Sequence, residues 1–248
     1  FFKGIKTLTH EQNAFPGVTT KLLANRVNKV LISAQSVVDR LNIKDKSKIV
    51  YTGNPVRKEV ISIDKTEAKK KMNLENKLFI LSFGGSLGAE NLNNALGEYL
   101  KRFANKDILY MHGTGEKNYD EFIKKFNINS NNVVVRPYID DMPLCMAAAD
   151  LIISRAGAIA LSEIECAGKP SILIPSPYVA ENHQYHNAME LVNNGAAKII
   201  LEKDLTALEL KKVIDDIISN NELEKMSHNA KNMAILDATE KIIKEINV

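Results

Sequence analysis

Apolar positions along this chain follow two rhythms that alternate. Runs at 78–83, 108–111, 133–135, 151–153, 172–174 and 198–201 are continuous, strand-sized and rich in β-branched residues. Between and after them, 89–104, 116–126, 142–149, 159–167, 184–194 and 205–218 space their apolar residues for one face of a helix. Six strands alternating with helices predict an α/β fold, a doubly wound and mostly parallel sheet with right-handed crossovers.

The residues before 78 carry a shorter version of the same pattern. The segment 18–27 reads as helical, and 29–32 and 48–51 read as short strands. Two strands cannot make a stable α/β layer unaided, so they are expected to belong to a sheet whose other strands are missing. The stretch 55–72 reads as an interdomain link carrying a helix at 66–72. At the other end, 222–246 gives two helices with no strand to follow, the last free to cross back onto the first domain. The expected division is 1–60, the remnant of an N-terminal domain; 61–76, linker and helix; 77–232, the C-terminal domain; and 233–248, the returning helix. The chain opens Phe1-Phe2-Lys3-Gly4 without an initiator Met, and its first recognisable feature is a loop, which suggests a truncated product.

Composition narrows the function classes. The chain has 248 residues, 45% hydrophobic and 25% charged, enough for a sizeable core. A formal net charge of +3, with lysines spread over many helical faces, does not point to nucleic acid. No apolar run approaches the eighteen or so residues of a membrane helix, so contact with a membrane would be peripheral. Cys145 and Cys166 sit in apolar helical contexts without metal-ligand spacing and read as inert thiols.

The candidate chemistry lies in loops that follow strands, where open α/β sheets bind ligands. Gly84-Gly85-Ser86-Leu87-Gly88-Ala89 ends the first strong strand and opens a helix. Its glycines allow close backbone approach, and unpaired amides at the helix start favour a diphosphate; a plain tight connection is the competing reading. Ser154-Arg155-Ala156-Gly157-Ala158 leads into a helix with Glu163 in its first turns, placed either to accept a ribose diol or to complement the helix dipole. The loop 175–188 carries the amides Asn182, Gln184 and Asn187, suited to sugar hydroxyls because each both donates and accepts. His183 and His186 lack a third ligand and read as surface or hydrogen-bonding groups rather than a metal site. Asp140 or Asp141 is placed to cap the helix at 142.

Taken in order, His10-Glu11-Gln12-Asn13, Thr52-Gly53-Asn54-Pro55-Val56-Arg57, the glycine-rich turn, Ser154 to Ala158 with Ser162-Glu163, and Asn182-His183-Gln184 with Asn187-Ala188 resemble the N-acetylglucosaminyltransferases of peptidoglycan synthesis. The resemblance runs from about residue 7 to about residue 235. It implies a glycosyltransferase B fold: a Rossmann-like C-terminal domain for the donor and the end of a second Rossmann-like, acceptor-side N-terminal domain. It implies inverting transfer of GlcNAc from UDP-GlcNAc to the 4-hydroxyl of undecaprenyl-pyrophosphoryl-MurNAc-pentapeptide, with no cofactor and no metal, at the cytoplasmic face of the cell membrane as a peripheral protein. Ser86 and the adjoining amides would face the diphosphate, and the backbone of Ile139 would meet the uracil. Ala158, Ile159, Ala160, Leu161, Ser162 and Glu163 would line the nucleoside, with Glu163 on the ribose hydroxyls. Gln184 would read the GlcNAc hydroxyls, and Asn13 and Arg57 would complete the sugar and phosphate site.

Two departures from the family pattern matter. Its Gly-Gly-Thr-Gly-Gly-His loop does not occur in this chain, so the catalytic base is expected in a missing N-terminal part; His10 is the nearest substitute and reads as a cleft residue. Leu87 also stands where the family's glycine-rich turn has Gln. The chain is therefore expected to bind donor and to transfer sugar poorly or not at all. A UDP-GlcNAc 2-epimerase and a non-catalytic UDP-sugar-binding fragment are the alternatives.

Overall fold

In the computed structural model, which describes residues 4–85 and 87–246, the chain forms two parallel sheets layered with helices. The first holds β1 (Leu8–Glu11), β2 (Lys29–Ile32) and β3 (Ile49–Tyr51), side by side in that order, with α1 (Val18–Leu23) between the first two. Two short helices, α2 (Lys58–Ser62) and α3 (Lys65–Lys71), lead into the second sheet. Its strands are β4 (Leu78–Phe83), β5 (Ile108–Gly113), β6 (Val133–Arg136), β7 (Leu151–Ser154), β8 (Ser171–Leu173) and β9 (Ala197–Ile199). The helices α4 (Glu90–Phe103), α5 (Tyr119–Phe126), α6 (Met142–Ala148), α7 (Ala158–Cys166), α8 (His183–Asn193) and α9 (Ala207–Ser219) each follow one of them. The chain ends with α10 (Glu222–Met233) and α11 (Ala238–Ile246).

The strands of the second sheet run parallel in the order β6-β5-β4-β7-β8-β9. Its strands read as continuous apolar runs because both faces are covered. Along β4, Phe79, Leu81 and Phe83 face the core shared with α6, α7 and α8, while Ile80 faces the core built by Leu92 and Leu96 of α4 and Leu210 and Ile214 of α9. Each such side chain contributes roughly 1.5–3 kcal/mol when fully buried. β4 and β7 lie side by side although five elements, α4, β5, α5, β6 and α6, separate them along the chain. That reversal of strand order is where a doubly wound sheet opens a crevice at its carboxyl ends.

The first sheet corrects the sequence reading. Leu8-Thr9-His10-Glu11 has no apolar alternation and reads as a loop, yet it pairs in register from Leu8 with Lys29 to Glu11 with Ile32. β2, with Val30, Leu31 and Ile32 at 1% exposure or less, supplies the edge that makes a weakly patterned segment extended. The sheet thus has three strands where periodicity shows two. The helix expected at 18–27 ends at Leu23, and α2 within the link has no periodic signal of its own.

Asp150, one residue before β7, fastens α3 to the sheet. Its carboxylate accepts from the Phe79 amide at 2.8 Å and pairs with Lys65 at 2.7 Å and Lys69 at 2.6 Å. Burial alone would raise its pKa, but the two lysines and the Phe79 amide outweigh it and hold the carboxyl below its ordinary value.

Gly97 in the middle of α4 gives the packing a sharp test. Alanine in an exposed helix interior is worth about 1 kcal/mol over glycine. At Gly97, however, a Cβ would fall inside the Phe126 ring of α5. Gly97→Ala is expected to destabilise the chain by about 1–3 kcal/mol in urea unfolding despite its better helix propensity, and Phe126→Leu in the same chain to recover part of the loss.

Candidate functional site

The glycine-rich turn after β4 is shaped by backbone pressed on backbone. Gly85 and Gly88 have φ of +90° and +75°. A Cβ on Gly88 would overlap the carbonyl oxygen of Thr114, just beyond β5, and one on Gly84 would come within 2.7 Å of the Ala89 amide. Behind this contact lies a buried polar chain. Nε2 of His112 lies 3.1 Å from the Asn93 side-chain oxygen, Asn93 Nδ2 donates to the Thr114 carbonyl at 2.9 Å, and His112 Nδ1 lies 2.9 Å from the Ser82 hydroxyl. Because the Asn93 oxygen can only accept, the proton of the neutral ring sits on Nε2 and Nδ1 accepts from Ser82. Asn118 closes the arrangement by donating to the Leu87 carbonyl at 3.1 Å.

A cleft of about 660 Å³ opens over this turn. Phe83, the glycine turn to Ala89, and Glu90 and Asn91 of α4 form one wall, Arg155, Gly157 and Ala160 the loop and helix after β7, and Ser176, Tyr178, Gln184 and Glu202 the rest. Both post-strand loops thus meet at the reversal of strand order. Arg155 pairs with Glu202 through two hydrogen bonds, the Nη2 to Oε1 distance being 3.1 Å, and Asn91 Nδ2 also donates to Glu202 at 2.7 Å. Burial would raise the Glu202 pKa, but these donors win and hold it below its ordinary value. No motif marks Glu202 in the sequence, because its partner Arg155 lies 47 residues away.

Gln184, in the first turn of α8, accepts from the Ser176 amide at 2.9 Å through Oε1. That bond fixes the side chain and leaves the Nε2 donors without a protein partner among the described residues. Asn187, three residues on, is not available in this way. It is 4% exposed; its oxygen accepts from the Ala14 amide at 2.8 Å, and Nδ2 donates to Asn13 Oδ1 at 3.0 Å and to the Ala156 carbonyl at 3.2 Å. The amide expected to read sugar hydroxyls instead ties the first sheet to the second. Asn182 holds a left-handed turn, φ 50°, at the start of α8.

The same seam holds the other first-sheet residues. Asn13 follows β1, bonded also to Glu11, whose buried carboxylate accepts from the amides of Asn13 and Gly17 at 3.1 and 2.9 Å. Arg57 reaches across to α7, where Nε and Nη2 both contact Oε1 of Glu163 at 3.0 Å and leave Oε2 without a partner among the described residues. Asn54 Nδ2 donates to Ser162 Oγ at 3.1 Å and to the Gln12 carbonyl at 3.1 Å. His10 lies 3.0 Å from the Gly53 carbonyl, and burial lowers its pKa.

The six residues expected along one nucleoside do not share one wall, because 3.6 residues per turn distribute them around α7. Ala160 borders the cleft over the glycine turn. Ala158, Leu161 and Ser162 border a second cleft of about 490 Å³ between the two sheets, and Leu161 is only 4% exposed. Ile159 is 38% exposed, and Glu163 faces Arg57. Ile139, 6% exposed, packs its side chain against Gly113. Ser86 lies outside the described residues. Asp141 caps α6, accepting from the Leu144 amide at 3.3 Å. His186 stacks on Phe15 at 4.7 Å, and among the described residues no three side chains cluster to hold a metal ion.

Residues 79–242 match the Glycosyltransferase family 28 C-terminal domain. The chain belongs to that family. It is 46% identical over 242 residues to the UDP-N-acetylglucosamine--N-acetylmuramyl-(pentapeptide) pyrophosphoryl-undecaprenol N-acetylglucosamine transferase of Acetivibrio thermocellus, covering 96% of this chain and 65% of the relative. The protein of the same name from Caldicellulosiruptor saccharolyticus is 44% identical over 243 residues, again 96% and 65%. The chain therefore spans 65% of the length of these relatives. Among solved structures, Acinetobacter baumannii MurG superposes with a TM-score of 0.79 at 27% identity, covering 99% of this chain and 67% of that one. The S. aureus MnaA-UDP co-structure reaches a TM-score of 0.73 at 17% identity, covering 100% and 70%, which shows a shared fold alone. Family membership and the two parallel sheets agree with the glycosyltransferase B expectation.

The polar chain under the glycine turn carries a pH signature. Burial, the largest influence, lowers the His112 pKa from 6.5 to about 4, so the folded state keeps the ring neutral where the unfolded chain binds a proton. Below pH 6.5 the unfolded state holds more protons, so this contribution to stability is lost as pH falls from about 6.5 to about 4. The loss from this ring is about 3 kcal/mol. Urea unfolding at pH 7 and pH 4.5 is expected to show a smaller acid loss in His112→Gln than in the parent chain; equal losses would remove His112 from the account.

Proposed function

We propose that this chain carries the donor site of an inverting N-acetylglucosaminyltransferase, which moves GlcNAc from UDP-GlcNAc to the 4-hydroxyl of undecaprenyl-pyrophosphoryl-MurNAc-pentapeptide (lipid I) in peptidoglycan synthesis. The observation that carries the reading is the cleft at the reversal of strand order, floored by the glycine turn and walled by Arg155 and Gln184. The names of the 46% and 44% identical relatives supply the sugar and the lipid-linked acceptor.

In this reading the diphosphate lies over the turn amides and the start of α4, where unpaired N–H groups favour anionic oxygens. Those donors are fixed before the reaction, so they stabilise charge on the departing UDP as the C1–oxygen bond breaks and the acceptor 4-hydroxyl, giving its proton to a general base, bonds to C1 from the opposite face. Glu163 offers Oε2, the oxygen Arg57 leaves open, to the ribose hydroxyls. Gln184 offers its two Nε2 donors to GlcNAc. Ser86, Ile139 and Asn13 keep the positions that the family resemblance gives them, beside diphosphate, uracil and sugar. With a lipid-linked acceptor, the protein works peripherally at the cytoplasmic face of the membrane; no helix among the described residues is long and apolar enough to cross one.

Calorimetric titration with UDP-GlcNAc, UDP, UDP-glucose and a GDP-sugar tests the reading. Glu163→Ala is expected to weaken both UDP and UDP-GlcNAc by at least about tenfold, or ~1.4 kcal/mol. Gln184→Ala is expected to weaken UDP-GlcNAc while leaving UDP unchanged. Equal affinity for the uridine and guanosine sugars would refute the donor assignment.

A further inference from the structure

The clefts above lie at the carboxyl ends of the strands. At the opposite end, before β7 and β8, the segment 60–65, the end of α6, Gly168-Lys169 and α10 enclose a cavity of about 340 Å³. Three lysines, Lys65, Lys169 and Lys231, border it. Lys169 is 3% exposed, and its Nζ donates to the carbonyls of Ala147 at 2.6 Å and Ala149 at 3.1 Å, using two of its three N–H bonds. No carboxylate pairs with it among the described residues.

Two acidic groups lie nearby, Asp150 and Asp64, and Asp64 borders the cavity itself. Asp150 is shared between Lys65, Lys69 and the Phe79 amide. Asp64 spends Oδ1 on capping α3, accepting from the amides of Thr66 at 2.8 Å and Glu67 at 3.1 Å. Lys231 is positioned by a glycine: its aliphatic stem lies across Gly168, φ +61°, where any Cβ would overlap it. Lys231 borders the cavity, and its ammonium has no protein partner among the described residues. Positive charge therefore exceeds negative charge around an open, partly desolvated space, which an oxyanion would neutralise through charge-assisted hydrogen bonds. Burial above all, and then Lys65, Lys231 and Lys69, lower the Lys169 pKa to about 7 against the opposing pull of Asp150.

We propose that this cavity binds a phosphate-class oxyanion between Lys65, Lys169 and Lys231, fastening the 60–65 link to α10. The proposal does not depend on the donor reading, since it concerns the other end of the sheet.

Amide NMR of the whole chain, titrated with inorganic phosphate against sodium chloride at matched ionic strength, provides the test. Saturable shifts are expected at Gly168, Lys169, Ser227 and Lys231, and they should persist when excess UDP is present. Lys231 is exposed, so charge reversal there leaves the core alone. Lys231→Gln is expected to weaken phosphate at least fivefold and Lys231→Glu to abolish the shifts, both with unchanged UDP titrations. Lys65→Gln should weaken phosphate as well. Shifts confined to the glycine turn, no shifts at all, or unchanged affinity in Lys231→Glu would overturn the proposal.

Discussion

The carbonyl oxygen of Thr114 occupies the place where a side chain on Gly88 would have to be. This contact sets the height of the turn after β4, and with it the floor of the cleft. It follows from the parallel pairing of β4 with β5, which brings the two carboxyl ends level from Leu78 with Ile108 to Phe83 with Gly113. Once level, the loops leaving them must pass within backbone contact, and a left-handed glycine is what that passage requires. The buried chain from Ser82 through His112 and Asn93 then holds the Thr114 carbonyl from behind. A half-satisfied network there would cost more than an apolar filling, so its complete pairing is part of what makes the turn rigid.

A second constraint joins the two sheets. Asn187 satisfies its polar atoms on residues of both, and Arg57 and Asn54 reach from the first sheet to Glu163 and Ser162 on α7. At the far end, Glu245 of α11 pairs with Lys29 at the start of β2. The Phe15 ring stacked on His186 adds an aromatic contact to this polar seam. The ion pair at Glu163 also lies in this seam, which makes ligand chemistry and the fit between the units parts of one arrangement.

The second sheet was legible because strands buried on both faces announce themselves as unbroken apolar runs, Leu78 to Phe83 above all. The glycine turn was legible for a related reason, since its spacing is a backbone requirement. What could not be read were pairings made by distant residues. Leu8 to Glu11 became a strand only because β2 offered an edge, and nothing local marks it. Asn187 looks as free for sugar as Gln184 does, and only burial against Ala14 and Ala156 separates their roles. Arg155 and Glu202, 47 residues apart, meet in the cleft without any shared motif. The resemblance to the peptidoglycan N-acetylglucosaminyltransferases pointed to loops that border the clefts, whereas the turn of α7 decided which of its residues reach which cleft.

The central claim is that the glycine turn is a cradle for a diphosphate rather than a tight connection between β4 and α4. Comparing the affinities of UDP and uridine for this chain addresses it directly, because the two ligands differ only in the group the turn would hold. UDP is expected to bind at least about tenfold more tightly, a difference of ~1.4 kcal/mol, and Gly88→Ala to remove that advantage. Equal affinities for UDP and uridine in the unaltered chain would contradict the account.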